Sequence, residues 1–148
     1  MADLFFTAQT AEIALTAATT KTVLQVVAPT NQRLRIKRWK VSFDGISAVA
    51  EPVQIELVRQ TTAGTMSALT PVKTGNDPET IQFTAQHTAT VEPTTTDILD
   101  SVEVHPQSGY EVIYPDGWEK KIGGGGRLAI RCTAPAGVNV RALMDCEE

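Results

Sequence analysis

Apolar and polar residues alternate along many short segments of this chain. In the segment VQIELVRQ, the apolar residues Val53, Ile55 and Leu57 occupy alternate positions. We expect them to face inward, and Gln54 and Glu56 to face outward, because successive side chains of a β-strand lie on opposite faces. Gly, Pro, Asn and Asp, which favour turns, separate segments of this kind. The predicted strands, eight or nine in number, occupy Glu12–Ala17, Thr22–Val27, Arg33–Gly45, Val53–Gln60, Thr80–Val91, Gly109–Gly117, Arg127–Ala134 and Asn139–Met144, with Asp97–Val104 as a short turn or strand.

The same pattern argues against helices. No segment carries a sustained apolar stripe with a helical period, and Met66–Leu69 is too short for more than one helical turn. Many short strands with turn signals between them predict an all-β fold, an antiparallel β-sandwich or barrel. Eight or nine strands with several long connections favour a jelly-roll-like arrangement. We expect a single β-sandwich domain over residues 12–148, preceded by an N-terminal arm or edge strand over residues 1–11.

The longest strand segment, RLRIKRWKVSFDG, changes the face on which its apolar residues lie. Leu34 and Ile36 share one parity, whereas Trp39 and Val41 share the other. A strand cannot switch faces without an extra residue, so we predict a β-bulge or bend near Lys37–Arg38.

Net charge and hydropathy limit the classes of partner that the chain is expected to bind. The net charge is −4 and the isoelectric point is about 5.2, which argues against general nucleic-acid binding. No apolar run approaches the ~20 residues of a membrane span, so no membrane partner is expected. The first 20 residues lack the basic region and apolar core of a secretory leader. Synthesis in the cytoplasm of a cell is therefore the expectation.

Residues that bind metals are few and scattered. His87 and His105 lie in different segments, and neither has a second ligand at a suitable spacing. If the last two strands form a hairpin around Pro135–Gly137, Cys146 lies well beyond the residue that faces Cys132, so both thiols are expected to be free. No metal and no cofactor is therefore expected.

Catalytic motifs are not apparent either. The run Gly123–Gly126 is followed by Arg127 and a strand rather than by the GK[ST] and helix of a phosphate-binding loop, so we interpret it as a flexible loop. Aromatic residues, which line sugar-cleaving clefts, make up only 5% of the chain. Nearby carboxylates are therefore interpreted as solvated: Asp97, Asp100, Glu103 and Glu111. The chain is not expected to be an enzyme.

An apolar group near the N-terminus is the first candidate for a partner contact. Leu4, Phe5 and Phe6 precede the first convincing strand. They could form an edge strand of the sandwich or an arm that packs on a neighbouring subunit, since exposed apolar patches mark partner surfaces.

A row of positive charge is the second candidate. Arg33, Arg35 and Lys37 project from one face of one strand. They could form a charged outer face that discourages edge pairing. Alternatively, they could contact an acidic protein surface or a phosphate group.

The chain opens with MADLFF…EIALTAATTKTVLQVVAPTNQRLRIKRWKVSFDG, has Thr-rich strands, and ends in the pair RLAIRC…NVRALMDCEE. In this layout it resembles small bacteriophage virion proteins, in particular capsid decoration (cement, or head-stabilising) proteins with a jelly-roll body. The resemblance implies a homotrimer on the outer surface of an icosahedral head that binds the major capsid protein.

Two alternatives stay open. One is another virion component, such as a head-fibre base, a neck protein or a tail protein. The other is a carbohydrate-binding jelly roll, for which a sugar platform would have to come from four aromatic residues, Trp39, Tyr110, Tyr114 and Trp118.

Overall fold

A computed structural model describes residues 4–46 and 51–148, and every regular element within these ranges is a β-strand. The described part of the chain contains no long apolar helix of the kind that crosses a membrane. The all-β prediction is thus confirmed. The strands are β1 (Phe5–Gln9), β2 (Ile13–Leu15), β3 (Thr20–Val27), β4 (Leu34–Phe43), β5 (Val53–Gln60), β6 (Thr65–Leu69), β7 (Val72–Lys73), β8 (Thr84–Val91), β9 (Thr95–Val104), β10 (Gly109–Ile113), β11 (Lys120–Ile122), β12 (Arg127–Thr133) and β13 (Val138–Glu147).

The strands form two antiparallel sheets that together make a β-sandwich. Sheet A has the order β10-β4-β13-β1-β7, with β11 also beside β4 and β2 also beside β13. Sheet B has the order β6-β8-β3-β12-β5-β9. Within the described residues the strands number thirteen rather than eight or nine, partly because the long strands β4 and β13 each pair with two short strands along one edge. The jelly-roll arrangement stays a prediction.

The inner faces of the two sheets supply the core. Trp39 is fully buried, and its indole Nε1 donates a hydrogen bond to the Tyr114 hydroxyl at 3.0 Å. Phe6 from sheet A stacks on Phe83, with ring centroids 3.7 Å apart. Aliphatic side chains fill the rest of the interior, so the fold rests mainly on hydrophobic burial.

The predicted bulge in β4 is present. Arg38 pairs with Asp145 of β13 and Ile36 pairs with Cys146, so Lys37 between them has no partner in β13. This extra residue lets Ile36 and Trp39 both face the core although their positions differ in parity. Lys37 is thereby placed on the outer side of sheet A, where it makes ion pairs.

Strand β5 differs from its prediction at one position. Val53, Ile55 and Leu57 are buried in the core as predicted, and Gln54 is exposed. Glu56 has the outward parity but is buried, because it pairs with the guanidinium of Arg131 on the neighbouring strand β12. Alternation alone did not reveal this pairing across strands.

Two further segments complete the comparison with the sequence. Met66–Leu69, which is too short for more than one helical turn, belongs to strand β6. The last two strands do not form a hairpin, because β12 lies in sheet B and β13 in sheet A, and Pro135–Gly137 connects the two sheets. Cys132 and Cys146 are nevertheless free, as expected, and both are buried.

Candidate protein-binding surface

The N-terminal segment belongs to the body of the sandwich. Strand β1 pairs with β13 on one side and with β7 on the other. Leu4 and Phe6 are buried, whereas Phe5 faces outward with 42% of its surface exposed. Over its described residues, this segment is therefore a sheet strand rather than a free arm, and Phe5 is its accessible aromatic residue. Residues 1–3 of the predicted arm lie outside the described residues.

The outward side of sheet A, here called the outer face, carries two rows of paired residues. The first row runs across four strands through Phe5, Glu147, Arg35 and Lys121. Arg35 donates from Nη1 to Glu147 Oε1 at 3.0 Å. The ring of Phe5 therefore lies beside the ion pair of Arg35 and Glu147, and Lys121 lies on the other side of Arg35.

The second row spans the whole sheet and joins Val72, Thr7, Asp145, Arg38 and Ile113. The hydroxyl of Thr7 donates to Asp145 Oδ1 at 2.6 Å, and Arg38 donates to Asp145 Oδ2 at the same distance. The two apolar ends of the row, Val72 and Ile113, are exposed. The side chains in the middle of the outer face are thus polar and hydrogen-bonded to one another, whereas the side chains at its margins are apolar.

Lys37 joins this surface to the segment between β10 and β11. Its Nζ lies 2.9 Å from Glu119, 2.9 Å from Glu147 and 3.3 Å from Asp116, so each of its three N–H groups has a carboxylate partner. The hydrogen bond to Glu119, followed by that to Glu147, raises the pKa of Lys37 above its usual value. The same bond from Lys37, helped by backbone donors, lowers the pKa of Glu119 to about 2. Both groups stay charged at neutral pH.

Glu119 also braces the turn that carries an exposed tryptophan. Its second oxygen, Oε2, accepts a hydrogen bond from the Gly117 amide at 2.7 Å, and the Trp118 amide donates to the Pro115 carbonyl at 3.0 Å. Gly117 has φ = 91°, a conformation that favours glycine. The indole of Trp118 is 74% exposed on this turn. The chain therefore presents a large aromatic side chain on a hydrogen-bonded support.

The basic row predicted from the sequence is mostly neutralised. Arg35 and Lys37 meet in one network around Glu147, whereas Arg33 lies exposed just before β4 begins. A phosphate group or an acidic partner surface at Arg35 or Lys37 would have to compete with the carboxylates already in contact with these two residues.

The most exposed aromatic residue was not assigned to a partner contact from the sequence. Trp118 was considered only as part of a sugar platform. The signal that identifies it is the sequence PDGW, in which a turn places the tryptophan outside any alternating strand. The sequence gave no comparable signal for Val72 and Ile113 at the margins of the outer face. Whether these side chains point outward depends on the strands that β7 and β10 pair with.

The predicted sugar platform is not assembled. Trp39 is buried, Tyr110 packs against it with ring centroids 5.5 Å apart, and the Tyr114 hydroxyl accepts the indole hydrogen bond. Of the four aromatic residues, Trp118 alone is largely exposed.

The four carboxylates named from the sequence are divided between the two sheets. Asp97, Asp100 and Glu103 lie on β9 in sheet B, whereas Glu111 lies on β10 in sheet A. Residues 4–46 and 51–148 contain no group of three His, Cys, Asp or Glu side chains that could hold a metal ion.

Neither the family models nor the curated protein sequences match this chain. Its function therefore has to be inferred from the outer face and from the layout of the chain.

Proposed function

We propose that this chain is a structural protein of a bacteriophage virion, which decorates and stabilises an icosahedral capsid by binding the lattice of the major capsid protein. The observation that carries the proposal is the outer face of sheet A, where Phe5 is exposed beside a satisfied ion network, together with the adjoining turn, which Glu119 braces and on which Trp118 is exposed. The resemblance of the chain to capsid decoration proteins supplies the identity of the partner.

The exposed aromatic residues suit the role of anchors. Tryptophan is among the residues most often found to dominate a binding interface, and truncating such an anchor typically costs at least about 2 kcal/mol of binding energy. Glu119 fixes the turn of Trp118 before binding, which reduces the conformational entropy lost on association. Phe5 is fixed because β1 is paired on both sides.

The ion network suits docking for a different reason. Lys37 and Glu147 already have partners within the chain, so a protein that covers them does not leave an unpaired charge at the interface. Such a surface mainly sets the orientation of the bound partner and disfavours other proteins, and it adds less to the binding affinity. We therefore assign affinity to Phe5 and Trp118, and orientation to the network.

We further propose that the chain acts as a closed homotrimer. The resemblance implies this state, and cyclic symmetry is the usual arrangement of soluble homo-oligomers. Sedimentation equilibrium should give three times the 15.9 kDa of the chain. A monomer at micromolar concentration that also stays monomeric on heads would contradict the trimer.

The capsid proposal is tested with heads of the phage that encodes the chain. Heads from which the chain has been removed are mixed with purified chain, and binding is measured by co-sedimentation. We expect saturable binding to the outer surface of heads, visible by electron microscopy. Recovery of the chain only with isolated tails or necks would instead support the alternative virion component.

Variants of the two exposed aromatic residues test which surface of the chain contacts the capsid. Phe5→Ser and Trp118→Ala should each weaken head binding by about tenfold or more, with little change in the unfolding temperature. Val91→Ser is the matched control, because Val91 is an exposed apolar residue at the end of β8 in sheet B. If both test variants bind heads as tightly as the control does, the outer face of sheet A is not the contact.

A further inference from the structure

A groove lies beside the glycine run, at the end of the sandwich where β11 passes to β12. Its volume is about 590 Å³, and the loop Gly123–Gly126 forms one side of it. Arg59 and Thr61, at the end of β5, line it together with Lys121 and Arg127. These residues come from both sheets, so the groove exists only in the folded sandwich.

Three of the four glycines are explained by the fold. A Cβ at Gly124 would lie 2.2 Å from the carbonyl oxygen of Thr30, which is too close for any side chain. Gly125 has φ = 74°, in the region that favours glycine. A Cβ at Gly126 would be only 3.0 Å from the carbonyl oxygen of Gly123. Sterics and backbone conformation therefore account for these positions.

Neither sterics nor backbone conformation requires a glycine at position 123. A Cβ built there meets nothing within 4 Å, and its backbone does not have a positive φ. The fold would accept a side chain at this position, yet the position lines the groove and has none. Close approach of another chain or ligand to the backbone is one of the uses of glycine, and open space at Gly123 leaves room for it.

The groove is also strongly basic. Arg59, Lys121 and Arg127 line it, and its described lining includes no carboxylate. Arg59 shares an exposed ion pair with Asp97 at 3.1 Å, and Arg127 contacts only the neutral Gln25 side chain at 3.4 Å among the hydrogen bonds of the described residues. On a chain of net charge −4, this is a local concentration of positive charge, in which Lys121 and Arg127 have no ion pair among the described residues.

We propose that this groove binds an acidic segment of a partner polypeptide, at a site that shares Lys121 with the outer face of sheet A and otherwise consists of residues outside that face. Guanidinium groups bind carboxylates through paired hydrogen bonds, and two of the three cations are arginines. The groove is far larger than a single oxyanion, so it fits a chain segment better than a free ion. Its lining contains no aromatic side chain on which a nucleobase could stack.

The test uses the full chain and a fluorescently labelled hexaglutamate peptide, with binding followed by anisotropy at low salt. We expect saturable binding that weakens as salt is added. Gly123→Leu should weaken it about tenfold by filling the groove, without a change in unfolding temperature, because the position is open. Lys121→Gln, a second variant at an exposed residue, should weaken it about threefold.

The control variant is Lys73→Gln, which removes the same charge from β7, at the other edge of sheet A. It should bind the peptide as the wild type does. Equal affinity of Gly123→Leu and wild type would overturn the proposal, as would equal losses in Lys121→Gln and Lys73→Gln. Tighter binding of an oligothymidylate, or displacement of the peptide by inorganic phosphate, would also overturn it, because the groove would then select anions in general.

Discussion

Adjacent phenylalanines on opposite faces of β1 provide a sharp test of where the N-terminal segment lies. Phe6 is fully buried and stacks on Phe83, so Phe6→Ala removes a core ring and should cost about 3–5 kcal/mol of unfolding free energy. For a domain of this size, about 2–4 °C is lost per kcal/mol, which gives a fall of roughly 6–20 °C in Tm. Phe5→Ala should cost less than about 1 kcal/mol, because the ring is 42% exposed.

Both variants are measured by urea unfolding with tryptophan fluorescence. Trp39 is buried and reports the loss of the core, whereas the exposed Trp118 changes little. The slope of the free energy with urea should stay constant, so that the midpoint shift reports stability alone. If Phe6→Ala loses no more stability than Phe5→Ala, β1 does not contribute to the core and the segment is an arm after all.

The remaining predictions concern charge and thiols. Lys37 lowers the pKa of Glu119 to about 2 from an ordinary 4.5, so the charged Glu119 stabilises the fold fully above pH 4.5 and loses this effect as the pH falls towards 2. Glu119→Gln should remove this pH-dependent contribution to stability. Urea unfolding of both proteins across that pH range measures the difference. Burial raises the pKa of Cys132 to about 12 and that of Cys146 well above its usual value, so a disulfide reagent at pH 8 should modify both only as fast as the chain unfolds. Arg131→Met should cost about 2–4 kcal/mol in urea unfolding, since it leaves a buried carboxylate unpaired.

Local sequence was a good guide to features with a fixed period. The parity change between Ile36 and Trp39 predicted the bulge at Lys37, because side-chain alternation in a strand is a strict geometric rule. The inward positions of Val53, Ile55 and Leu57 in β5 followed from the same rule. Most of the fold class therefore came from periodicity alone.

Features that depend on which strands meet could not be predicted in this way. Glu56 was expected to be solvated, but its burial depends on Arg131, a residue far away in the sequence. Leu4 and Phe6 were possible anchors until β1 was found between β13 and β7. The brace of Trp118 by Glu119 and Lys37 likewise joins two strands and a turn, and alternation carries no information about such contacts.

The pairing of β1 with β13 also determines when the outer face can form during synthesis. Phe5 lies opposite Glu147, and the backbones of Leu4 and Glu148 exchange two hydrogen bonds, at 3.0 and 3.2 Å. A ribosome makes β1 first, but its main partner emerges only after about 130 further residues. Chains interrupted before β13 therefore lack the row that contains Phe5, Glu147 and Arg35. Prematurely terminated products cannot present this row, so under the proposed function they would not compete with complete chains for the capsid lattice.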